Sequence, residues 1–125
     1  MLAIATGLFG ITLLAGIWMG VIHMDSDGRR RPPLWLAVAH GFFAVVAAVP
    51  LVAVLERAKT RGLATGSASF GVIAAGFFLA AAAVGGYLFF ARHLRGRRLP
   101  GVVIATHMML AVTGFVVLFV YLSFP

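Results

Sequence analysis

Two histidines of this chain, His40 and His107, stand at matching places. Each follows a proline by seven residues, Pro33 in one case and Pro100 in the other. The match continues without a gap: His40, Ala44, Val45, Ala47 and Leu51 fall opposite His107, Ala111, Val112, Gly114 and Leu118. A neutral imidazole carries one N–H donor and one lone-pair nitrogen, so such a pair can hydrogen-bond between helices or ligate a metal. Little else in the chain offers chemistry. There is no cysteine, which removes disulfides, Cys-ligated zinc, iron–sulfur clusters, thiol catalysis and covalent haem attachment through Cys-x-x-Cys-His. No Ser/His/Asp grouping and no phosphate loop is present, and Asp25, Asp27 and Glu56 lie in polar breaks between apolar stretches.

The elements that must hold the histidines follow from composition. Hydrophobic residues make up 62% of the 125 residues, charged residues 10%, and the mean hydropathy is +1.08. A soluble domain is about half apolar and about a quarter charged. Four apolar stretches run over about 2–22, 34–55, 67–91 and 101–124, each able to span a hydrocarbon layer of about 30 Å. Backbone polar groups in lipid must be satisfied within the segment, so each stretch is expected as a helix. The expected fold is all-α: a transmembrane four-helix bundle forming one integral membrane domain over 1–125. Pro33 and Pro100 suit helix starts, and Pro50 predicts a kink in the second helix. The first stretch lacks a positive leader and a small-residue cleavage pattern, so it is expected as a helix of the mature protein.

Charge sets orientation. Arg29, Arg30 and Arg31 follow the first stretch, and Arg92, Arg95, Arg97 and Arg98 follow the third; the opposite side has Arg57, Lys59 and Arg61. That asymmetry places the first and third loops in the cytoplasm and both termini outside, as in a bacterial inner membrane. The formal net charge of +7 is thus spent on topology and lipid headgroups, and nucleic acid is not an expected partner. Trp18, Trp35, Tyr87 and Tyr121 fall near span ends and read as aromatic belts.

The second half reads like the first. Gly28-Arg29-Arg30-Arg31-Pro32-Pro33 is echoed by Gly96-Arg97-Arg98-Leu99-Pro100, and His23 corresponds loosely to His93. The halves, about 1–55 and 67–124, are expected as one hairpin used twice about a pseudo-twofold axis along the membrane normal. His40 and His107 then lie at equal depth, about 9 Å inside their helices at about 1.5 Å per residue. Ionisable residues at such depth point to function. Small residues deeper on the same face, Ala44, Ala111 and Gly114 among them, leave room for a flat ligand. Haem b fits that description, with His40 and His107 as axial ligands. His23 and His93 could hold a second haem, and interfacial placement is the simpler account of both. Arg31, Arg92, Arg97 and Arg98 are candidates to pair with haem propionates.

On these residues the chain resembles small membrane b-type cytochromes, the class that includes cytochrome b561-like and dehydrogenase or hydrogenase cytochrome b subunits. The resemblance implies an oxidoreductase or electron-transfer subunit working with a quinone or a larger respiratory or photosynthetic complex. It departs from that class in keeping all four histidines toward one side, which favours one haem over a transmembrane relay. Three alternatives stay open: a quinone or bare metal at the histidines; a haem-free accessory subunit docking through Gly16 and Gly20; and a small transporter assembled as a homodimer.

Overall fold

The computed structural model describes residues 1–60 and 67–123, with the side chains of residues 67 and 68 left aside. Four helices follow one another: α1 (Leu2–Met24), α2 (Leu34–Thr60), α3 (Ser67–Gly86) and α4 (Gly101–Ser123). All four spans are long and apolar enough to cross a membrane, the third running on to His93. Their outward faces carry Leu14, Leu79 and Val102 at 68%, 74% and 81% exposure. In water that surface would drive association; against lipid it needs no cover.

The helix ends differ from expectation in two places. α2 runs past residue 55 to Thr60 because Leu-Glu-Arg-Ala-Lys are strong helix formers with no breaker among them. It also continues through Pro50 as one helix. The expected break at 56–66 is therefore shorter at its start, and 61–66 lie outside the described residues, as does Phe124. The third span widens after Gly86 into a π-helical segment, Tyr87–His93, visible in the Leu94 N–H donating to the Phe89 carbonyl five residues back at 2.9 Å. Such wide turns often mark functional places in a helix.

Both arginine-bearing loops begin with the same hydrogen-bonded stop. The Gly28 N–H donates to the His23 carbonyl at 2.9 Å and the Asp27 N–H to the Met24 carbonyl at 3.1 Å, with Asp27 left-handed at φ 51°. The Arg97 N–H donates to the Arg92 carbonyl at 2.9 Å and the Gly96 N–H to the His93 carbonyl at 3.1 Å, with Gly96 at φ 66°. This is the Schellman ending of a helix, and glycine suits its left-handed residue best.

α1 packs chiefly on α2 and α3 on α4, while α1–α4 and α2–α3 contacts close the bundle. α2 and α4 thus stand diagonally opposite, as do α1 and α3. The main buried apolar cluster lies in the half nearer the chain termini, while Gly20, His23 and Leu36 are buried in the other half. Ala5, Phe9, Ala47, Leu51, Ala74, Leu118 and Tyr121 form that cluster, and Tyr121 is therefore a core residue rather than part of a lipid-facing belt. Gly71 is what admits that ring: a Cβ there would stand 2.7 Å from both the Tyr121 Cε1 and the Leu55 Cδ2. Trp18 and Trp35 do face outward, 63% and 69% exposed.

Candidate cofactor site between the helices

The half of the bundle nearer the arginine loops contains the histidine pair. His40 on α2 and His107 on α4 approach across the diagonal, with ring centroids 6.0 Å apart and planes inclined at 72°. Each ring is held by its own hairpin partner. His40 Nδ1 lies 2.9 Å from the Thr12 carbonyl on α1, and His107 Nδ1 lies 2.9 Å from the Ala81 carbonyl on α3. A carbonyl oxygen can only accept, so each Nδ1 carries the proton, and in the neutral ring each Nε2 keeps its lone pair. Among the described residues neither Nε2 has a hydrogen-bond partner.

A glycine lies one turn beyond each carbonyl. A Cβ on Gly16 would stand 3.0 Å from the His40 Cε1, and a Cβ on Gly85 would stand 2.9 Å from the His107 Cε1. The notches let each imidazole lie flat along the neighbouring helix. Gly20, one turn further on, meets the Met108 sulfur at 3.6 Å from its would-be Cβ. Gly16 and Gly20 therefore face into the bundle, which removes them as the docking surface of an accessory subunit: their contacts are already taken.

Beneath the rings the bundle is closed by an aromatic pair. Phe9 of α1 and Phe78 of α3 stack with centroids 3.8 Å apart and planes within 1° of parallel. They lie one turn below the Thr12 and Ala81 carbonyls, about 4.5 Å along the axis at about 1.5 Å per residue. Phe9 and Phe78, Thr12 and Ala81, and Gly16 and Gly85 are each 69 positions apart, and His40 and His107 are 67 apart. Alanine at Phe78 is expected to cost about 2 kcal/mol in detergent unfolding. That is below the about 3–5 kcal/mol of soluble cores, because lipid solvates the exposed ring in the unassembled state and only packing is lost.

The remaining expected site residues fall as follows. Ala44 and Ala111 are half-buried on the face that leads from the histidines to the core. Gly114 is buried, but it packs on α3: a Cβ would meet the Phe77 Cβ at 3.0 Å and Phe78 Cδ1 at 3.2 Å. It supports the phenylalanine floor instead of lining an open slot. His23 is 8% exposed and its Nδ1 lies 3.2 Å from the Arg30 carbonyl, so it fastens its own loop. His93 stacks on Phe89, centroids 6.1 Å apart. Among the described residues these two histidines have no ring contact with each other. Counted at the spacing of 69, the partner of His23 is Arg92, whose guanidinium Nε donates to the Arg98 carbonyl at 2.9 Å, as His23 does to that of Arg30. Arg31 crosses to the other loop and donates to the Gly96 carbonyl at 2.5 Å. Arg97 and Arg98 are exposed. No group of three or more His, Cys, Asp or Glu side chains suited to a metal ion occurs among the described residues.

The glycine notches, the main-chain acceptors and the phenylalanine floor were not among the expected site residues. Only the spacing of 69 could have found them, and it is masked in the sequence by loops of unequal length. Comparison with protein-family models, with curated proteins and with solved structures gives no match to this chain.

Proposed function

We propose that the chain is a membrane-embedded b-type haem protein taking part in electron transfer, with His40 and His107 as the axial ligands of one haem. The observation that carries this reading is the pair of imidazoles meeting from diagonal helices, each with Nδ1 engaged and Nε2 free. With ring centroids 6.0 Å apart, the two helices already bring both imidazoles within reach of one group held between them. The donor set also selects among metals. Two imidazoles with no third protein ligand leave a bare zinc ion under-coordinated, whereas a porphyrin brings four nitrogens of its own.

The haem would supply reversible one-electron exchange at its iron. The chain's own residues do the rest. The Thr12 and Ala81 carbonyls fix the tautomer and leave Nε2 as the nitrogen each ring would offer, as partners of a ligating histidine do elsewhere. Gly16 and Gly85 give the rings their seats. The Phe9–Phe78 stack limits the site to one half of the bundle, which favours one haem over two. The shared spacing of 69 between α1 and α3, beside 67 between His40 and His107, supports the reading of one hairpin used twice about a central axis, as do the contacts of Phe9 with Phe78 and of His40 with His107. The arginine loops are read as cytoplasmic, in a bacterial inner membrane.

An optical spectrum of the protein purified from a haem-replete membrane tests this. The expected result is a Soret band of the bis-imidazole type at about one haem per chain; a colourless protein ends the proposal.

A further inference from the structure

Resting on the haem reading, a second feature says how electrons arrive. The two arginine loops cap the half of the bundle that holds the histidines. Arg29, Arg30, Arg31, Arg95, Arg97 and Arg98 are all exposed there, against only Asp25 and Asp27. The loops form one surface, because Arg31 of the first bonds the Gly96 carbonyl of the second. Topology accounts for positive charge on this side. It does not require the two loops to be bonded to each other at the end of the bundle that holds the histidines.

The opposite approach is closed. Below the histidines come the Phe9–Phe78 stack and then the buried residues Leu51, Leu118 and Tyr121. We propose that the arginine roof is the docking face for a water-soluble one-electron donor protein with an acidic surface. The exposed arginines lie on two loops that Arg31 bonds into one surface at the end of the bundle, so they face the water beyond the membrane, where an acidic protein is a better occupant than a headgroup. Clustered charge of one sign raises the arrival rate of an oppositely charged partner by about 10- to 1,000-fold at low salt. The donor would give up one electron and a haem held by His40 and His107 would take it up, with no bond made and no proton moved.

The test uses the full chain in nanodiscs of phosphatidylcholine, with reduced plant-type ferredoxin as the acidic probe and a basic c-type cytochrome as the control for charge. Binding is read by fluorescence polarisation and electron arrival by stopped-flow absorbance. Ferredoxin is expected to bind and reduce the site. Both parameters are expected to fall about 10-fold or more in Arg29→Glu/Arg30→Glu/Arg95→Glu, and likewise in the parent at about 0.5 M salt, where the screening length is only a few ångströms. Arg31 and Arg92 are kept because they fasten the loops. Equal binding of acidic and basic probes, or no change in the triple variant, overturns the proposal. So does an arginine effect seen only when phosphatidylglycerol is added, which would make lipid the occupant. The binding arm repeated on His40→Ala/His107→Ala reads the docking face without the cofactor, so a failed haem reading and a failed docking face give different results.

Discussion

Alanine at either His40 or His107 is expected to strip the purified protein of its bis-imidazole spectrum while leaving the bundle assembled. Each ring reaches the other from a different hairpin, and each is the one imidazole its half brings into that contact. On the haem reading, removing one leaves a single protein group to hold the cofactor, so the Soret band should broaden and shift or vanish, and haem content should fall several-fold. The stability loss is much smaller. What the fold loses is one hydrogen bond to a helix carbonyl, from Nδ1 to Thr12 or to Ala81. Inter-helix bonds of this sort in membranes average about 0.6 kcal/mol and reach about 1.7. A purely structural pair predicts the opposite split: a measurable drop in unfolding midpoint with no optical consequence. Absorbance per mole of chain, measured beside thermal unfolding in the same detergent, separates the two.

A single methyl group at Gly85 is expected to do nearly the same damage. The added Cβ would lie 2.9 Å from the His107 Cε1 and 3.2 Å from its Nδ1. The ring cannot slide away while Nδ1 remains bonded to Ala81, so it must rotate and give up that bond. Gly16→Ala makes the same conflict with His40 slightly less severely, at 3.0 Å. The neighbouring substitution is the control. A Cβ on Gly86 meets nothing within 4 Å, so Gly86→Ala should keep full haem content and gain slightly from the better helix propensity of alanine. Haem occupancy of Gly85→Ala, Gly16→Ala and Gly86→Ala decides this; equal occupancy in all three would show that the notches do not seat the rings.

The four spans were legible because lipid enforces a simple code: an apolar run long enough to cross must be helical. The pairing of His40 with His107 was legible for a different reason, the ungapped spacing from Pro33 and Pro100. What could not be read is what depends on rotation about each helix axis. Tyr121 looks like a belt residue by position, yet the missing side chain at Gly71 draws it inward. Gly16 and Gly20 look like a docking face for another subunit, yet an imidazole and a thioether of this chain occupy them. With almost every residue apolar, hydrophobic periodicity carries no signal about which face points in. The π-helical turn at Tyr87–His93 is likewise invisible, since no residue type demands it.

The seating of each histidine on the helix that precedes its own bears on how the protein is made. His40 finds both its acceptor and its notch on α1, and His107 finds both on α3. Neither needs the other half of the chain to reach its working orientation. As the ribosome delivers the first hairpin into the bilayer, one imidazole can be locked before α3 exists, and the second hairpin repeats the step. If a haem is held between the rings, its capture waits only on the meeting of two finished pieces, so its supply would govern the last stage of assembly and leave the earlier ones untouched.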